Sequence, residues 1–403
     1  MAVLNAQNRL LTHLNVGAPA LQYSAGQLIA FLDAVLVNGY GSVTLTSLVV
    51  ASNIVTATVS GGHGFQIYGG GDAEFGPVIR IAGASPAGLN GDWRLSSVPD
   101  PNTFTFEVEG ISDQTATGTV TAKMAPLGWT KEFSGTNLAA YRQGGGNMMY
   151  FRVDDTATYD AKVRGYEAMT GVSAGTGEFP TTSLRSTGYY MSKRGSSSGT
   201  SQWFVAGNDR LAYFGIAANA SYMFYQMCVW GDLKGLTGEI DPYGTLISGS
   251  GSAYSSYSYV NHPWYRNNST AYMAVARAAS GIGGSYEING GALSYGYSVG
   301  VSGGLTGFDY PEPNSGGLFL SSPSVALAYG SNGNIRGEFP GAVWVNNNVE
   351  RYDIGGDDTF SFFRTPTGPG PLADKTLLGF YILNGNSGSP GYGFLDLLTP
   401  WHN

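Results

Sequence analysis

Thr103-Phe-Thr-Phe-Glu-Val108 alternates polar and apolar residues from end to end. In an extended strand successive side chains point to opposite faces, so Phe104 and Phe106 share one face. Moving outward, Ser47-Leu-Val-Val50, Ile54-Val-Thr-Ala-Thr-Val59, Val78-Ile-Arg-Ile81, Asp92-Trp-Arg-Leu95 and Gly118-Thr-Val-Thr-Ala122 are further short strand-like runs. Turn signals separate them at Gly61-Gly62, Ser85-Pro86, Asn90-Gly91 and Pro99-Asp-Pro101. Short strands spaced by turns predict a small β-sandwich over 43–125. Its expected core is Val55, Ile79, Ile81, Trp93, Phe104 and Phe106.

Upstream, residues 1–42 read as a helical segment. Leu4 to Leu14 has helical spacing of apolar residues. A second helix is expected after Gly17-Ala-Pro19, with Ser24 as N-cap and Leu28, Ile29, Leu32, Val35 and Leu36 on one stripe. Asn38-Gly39 closes it. Downstream, 126–403 reads as a main β-rich domain. Met148 to Val153 and Ala161 to Tyr166 bracket an acidic loop, Asp154 to Asp160. Gln202 to Ala206 with Leu211 to Ile216, and Thr376 to Leu383 with Tyr392 to Leu398, form other strand pairs, and Tyr222 to Trp230 is a candidate buried strand.

The whole composition agrees with a β-rich, turn-rich chain. Of 403 residues 61 are Gly, 13% are aromatic and only 12% are charged. Disordered chains are aromatic-poor and charge-rich, and collagen needs Gly at every third position, so both are excluded. A net charge of −8 is a poor footprint for direct contact with nucleic acid. Cys228, the one cysteine, lies among apolar residues and reads as a buried thiol, with no disulfide or thiolate zinc site. No apolar run approaches a membrane span, and no basic region precedes an apolar stretch as in a signal peptide.

Candidate chemistry is sparse. His13, His63, His262 and His402 are dispersed without metal-ligand spacing, and His63 in Gly61-Gly-His-Gly64 reads as turn packing. Acidic clusters occur at Asp154-Asp155, at Glu239 with Asp241, and at Asp353, Asp357 and Asp358. Paired carboxylates serve glycoside hydrolysis, and the last cluster has oxygen ligands for calcium. For all of them a solvated turn is the leading reading. Gly-x-Ser-x-Gly strings at 171–175, 195–199, 296–300 and 300–304 have no helix after them, so none reads as a nucleophile elbow. The remaining signal is Tyr among Ser and Gly, the composition of adaptable binding loops. Tyr254, Tyr257, Tyr259, Trp264, Tyr265, Tyr295 and Tyr297 form the candidate interaction surface, with subunit packing as the alternative use. No catalytic, cofactor-binding or metal residue is assigned.

The ordered string Ile54 to Val59, His63-Gly64, Val78 to Ala84, Pro86-Ala-Gly-Leu-Asn-Gly91, Val98 to Phe106 and Thr115 to Thr119 resembles an Ig-like β-sandwich module of tailed-bacteriophage structural proteins. The flanks form a second series. Gly17 to Leu21 and Leu32 to Gly41 join, after the module, to Gly128 to Arg142, Phe151 to Thr156, Val163 to Met169 and Gly175 to Pro180. Gly231-Asp232, Asp241 to Gly249 and Ile335 to Gly341 continue it. This series resembles a family of phage virion-associated proteins. The resemblance implies a mainly β fold: a sandwich-type main domain, a short N-terminal helical segment and an inserted Ig-like sandwich. It implies a non-enzymatic virion subunit without cofactor, most readily at the capsid surface as a decoration or minor capsid protein. A tail component, an adhesin for host surface glycan and a depolymerase are the alternatives. The implied partners are copies of the chain and other virion proteins, in a particle assembled in the host cytoplasm.

Overall fold

The computed structural model describes residues 6–193, 199–217, 225–235, 241–253, 263–264, 272–278, 280–292, 320–321, 324–328, 335–345, 360–365, 367, 372–383 and 390–402. Strands dominate them, in four antiparallel sheets.

The sandwich expected from the sequence is present. Strands Tyr40–Thr44, Thr121–Met124, Val78–Ala82 and the first half of Gly91–Asp100 make one layer. The second half of Gly91–Asp100, with Thr103–Glu107, Ile54–Thr58, Ser47–Ala51 and Gln114–Thr115, makes the other. One strand therefore belongs to both layers, and its pairing register shifts between Leu95 and Ser97. Such a bulge bends a strand from one sheet into the next. Val55, Ile79, Ile81, Phe104 and Phe106 are buried as expected. Trp93 is only half-buried. Its ring stacks on Phe106 at 5.4 Å, and its Nε1 donates to the Leu89 carbonyl at 2.9 Å near the surface. Residue 94 takes the interior instead: the buried Arg94 guanidinium lies 4.3 Å above the Phe75 ring and donates to the Gly76 and Asn8 carbonyls.

The rest of the chain stacks three layers. The middle sheet runs Arg9–Thr12, Trp203–Gly207, Leu211–Ile216, Gln226–Asp232, Thr245–Ser248, Met273–Val275, Tyr286–Ala292, Ser324–Ala328 and Ile335–Phe339. One face, with Val205, Phe214 and Trp230, packs on a six-stranded sheet through Phe151, Phe179 and Tyr189. The other, with Phe204, Tyr213 and Val229, packs on a five-stranded sheet through Phe360, Phe380 and Leu395. Covered on both sides, its central strands have no polar face to offer, and all residues of Trp203–Gly207 and Gln226–Asp232 are buried. Cys228 lies among them, and burial pushes its thiol up to about 12.

Arg9–Thr12 corrects the expected first helix. It is a strand paired with Trp203–Gly207, and adjacent leucines serve opposite cores: Leu11 faces the six-stranded side, Leu10 the five-stranded side. Two apolar residues in succession suit a strand buried on both faces as well as they suit a helix stripe. The second helix forms as Gln27–Leu32, continued by a wider π-turn over Asp33–Asn38, and its whole expected stripe is buried. Ser24 is not its cap. Gly26 takes that position with φ of 83° and no side-chain bond. Gly39 ends the turn at φ 71°, and a Cβ there would sit 2.3 Å from the Met124 carbonyl oxygen. The chain thus enters the sandwich alongside the strand by which it leaves. The Leu127, Gly128 and Trp129 amides then donate to the Val35 and Leu36 carbonyls.

Candidate functional site

The acidic residues singled out in the sequence separate into different roles. Asp154 is turn chemistry, accepting from the Thr156 hydroxyl at 2.7 Å. Asp155 is not solvated. Phe151, Val153 and Asp155 continue one inward-facing alternation, and Asp155 reaches the interior with Lys193, both side chains fully buried, at 2.5 Å. Its second oxygen accepts the Ile29 amide at 3.1 Å, so the first turn of the helix is capped from the end of a strand distant in sequence. Lys193 also donates to the Ser24 and Ala157 carbonyls. Burial raises the Asp155 pKa, and Lys193 opposes the rise. Asp232, which the sequence offered only within the Gly231-Asp232 motif and not as a candidate site residue, is the counterpart on the middle sheet. It accepts from Thr245, Gln143 and the Asn147 amide. Burial raises its pKa too. Asp241 pairs with Arg336. Asp155 thus ties the helix to the six-stranded sheet, Asp232 ties the middle sheet to the loop between Leu138–Arg142 and Tyr150–Asp154, and Asp241 is held by Arg336 of the middle sheet itself.

His63 is the packed turn residue expected: its Nδ1 accepts the Phe65 amide at 2.9 Å and its ring stacks on Phe65. His402 is buried, with Nε2 donating to the Asp232 carbonyl at 3.2 Å and Nδ1 unpartnered. Burial, then Arg210, lowers its pKa to about 4, so it is neutral at pH 7. Among the described residues no group of three or more His, Cys, Asp or Glu side chains could hold a metal. No described helix is long and apolar enough to cross a membrane.

Of the proposed interaction surface, Tyr254, Tyr257, Tyr259, Tyr265, Tyr295 and Tyr297 lie outside the described residues, as do His262, Glu239, Asp353, Asp357 and Asp358. Trp264 is described and is not on the surface. It is 7% exposed, donates to the Val343 carbonyl at 2.9 Å and packs edge-on against Phe380 at 5.2 Å. Its apolar ring completes the core between the middle and five-stranded sheets.

A surface cleft of about 200 Å³ lies instead on the six-stranded sheet, between its central strands and the turn 180–188. Arg152, Lys162, Arg164, Tyr166, Ser186 and Thr187 line it. The alternation that buries Phe151 and Val153 turns Arg152 outward, and the register sets Arg152 directly opposite Arg164. Like charges in that position repel. Arg164 is held away by Glu178 at 2.6 Å and by the Arg185 and Ser186 carbonyls. Arg152 donates to the Val172 carbonyl at 2.8 Å. The strand Asp160–Gly171 pairs with Tyr189–Ser192 as far as Val163 and with Ala174–Phe179 from Gly165. Arg164 sits at the gap between these partners, where the turn leaves and returns. Gly188, at φ 78°, lets the returning chain lie against the Val163 carbonyl, which a Cβ would meet at 2.5 Å. The signal for this cleft was in the sequence, as Arg152, Lys162 and Arg164 on alternating strands, but only the register shows that they converge.

No family model matches the chain, and no curated protein does. A search of solved structures returns a match titled "Phage phi92 endosialidase", at 9% identity and a TM-score of 0.16, covering 89% of this chain. The alignment spans 52% of that chain, about half its length. The expectation that the protein is not an enzyme is corrected by this finding, because the matched structure is named for an enzyme. At that identity and TM-score the match assigns no activity to this chain either.

Proposed function

We propose that the chain is a structural subunit of a tailed-phage particle, displayed at the capsid surface and acting by packing against its own copies and other virion proteins. The observation that carries this reading is the join at the foot of the sandwich. Two series of motifs resemble phage proteins, one interrupting the other, and the backbone bonds from 127–129 to 35–36 close the body at the point of interruption. Residues 43–125 are accordingly read as an inserted module on a body built by 126–403, with 1–42 leading into it. The test is immunogold labelling of intact particles. Label over the head supports the proposal, and absence of label from the particle overturns it. Label on the tail favours the second reading, a tail component that touches host surface glycan. The cationic cleft, open to solvent at Lys162, is the specific feature that favours this alternative.

A further inference from the structure

We propose that the cleft between strands Tyr150–Asp154 and Asp160–Gly171 and the turn 180–188 binds an anionic sugar unit, one carrying a carboxylate or phosphate. Three cationic side chains converge there on a protein whose net charge is −8. The lining residues include no carboxylate. The two acids that border it are committed: Glu178 to Arg164 and Thr182, and Asp154 to Thr156, with its other oxygen 3.9 Å from Arg152. Lys162 is exposed and makes no ion pair within 4.0 Å among the described residues, although the register places it opposite Asp154. Arg164 already has its anion in Glu178, so the charge left for a ligand is that of the exposed Lys162 ammonium beside the Arg152 guanidinium, and Arg recognises carboxylate and phosphate oxygens through its terminal donors.

The rest of the lining specifies what carries the anion. Tyr166, Ser186 and Thr187 add hydroxyl groups that both donate and accept, and the tyrosine adds an aromatic surface. Hydroxyls beside cations suit a polyhydroxylated ligand. The volume is below the roughly 300–1,000 Å³ of pockets that enclose drug-sized molecules, which fits one sugar unit or chain end. This inference rests on the cleft alone and stands or falls apart from the position of the subunit in a particle.

The test is ligand-observed NMR titration of the full chain with glucuronate, a hexose phosphate and neutral glucose. Glucuronate or the hexose phosphate is expected to bind more tightly than glucose, and which of the two wins identifies the anion. Lys162→Gln is expected to weaken that binding about tenfold or more, the loss of one charged hydrogen bond, and Arg152→Gln likewise. Lys162 has no described side-chain partner, so its variant should keep the parent melting temperature. Equal affinity for glucose and both anions, no saturable binding of either anion, or unchanged affinity in Lys162→Gln at unchanged melting temperature would overturn the proposal.

Discussion

Asp154 and Asp155 are neighbours with opposite fates, and the difference follows from strand alternation. Odd-numbered residues from Phe151 point inward, so Asp155 meets Lys193 in the core while Asp154 stays in the turn. The pattern needed to see this is present in the sequence; its partner, Lys193, is not locally visible. Breaking a buried pair leaves an uncompensated charge, so Asp155→Ala is expected to cost about 3–5 kcal/mol in a urea unfolding experiment. Asp154→Ala should cost far less. Lys193→Met combined with Asp155→Leu should recover part of the loss, because no charge is then left buried alone. His402 gives a pH dependence of definite sign. Its pKa is about 4 in the folded chain and about 6.5 when unfolded, so between these values the unfolded chain binds the extra proton. Its contribution is complete above pH 6.5 and is lost as pH falls toward 4, by roughly 3 kcal/mol in all. His402→Gln keeps a donor for the Asp232 carbonyl and should flatten that part of the stability profile relative to the parent.

At the scale of elements, the sandwich strands were the most legible part of the chain. Alternation in Thr103–Glu107 and Ile54–Thr58 identifies both the strands and their buried faces. Phe104→Ala is expected to cost about 3–5 kcal/mol, the usual range for a buried phenylalanine. Trp93→Ala should cost no more than about 2 kcal/mol, since its ring is half-solvated, and a thermal melt of the two variants would separate them. What misled was the N-terminus. Leu10 and Leu11 read as part of a helical stripe because adjacent apolar residues fit more than one period. The deciding fact, a layer of protein on each side, is tertiary. The helix cap failed for a related reason: the carboxylate that accepts the Ile29 amide, Asp155, lies just past a strand far along the chain.

At the scale of the molecule, the sequence shows that apolar strands such as Gln226–Asp232 are buried but not which sheets cover them, since that depends on pairings between distant residues. The sandwich is tied to the body by more than its two connecting strands. Phe362 of the five-stranded sheet stacks on Tyr68 and Phe75, Arg94 binds the Asn8 carbonyl, and Arg9 pairs with Asp92 at 2.6 Å. Replacing 43–124 with a short Gly/Ser linker should therefore leave a body that unfolds cooperatively at a lower temperature than the parent. Loss of the cooperative transition would show that body and sandwich fold only together. The pairing of Arg9–Thr12 with Trp203–Gly207 also sets a clock. The strand Arg9–Thr12 leaves the ribosome well before its partner, which is made nearly half a chain later. At 5–20 residues per second, that is a wait of about 10–40 s. During that interval Leu10 and Leu11 have no sheet to join, so a chaperone that holds nascent apolar segments would find a target there.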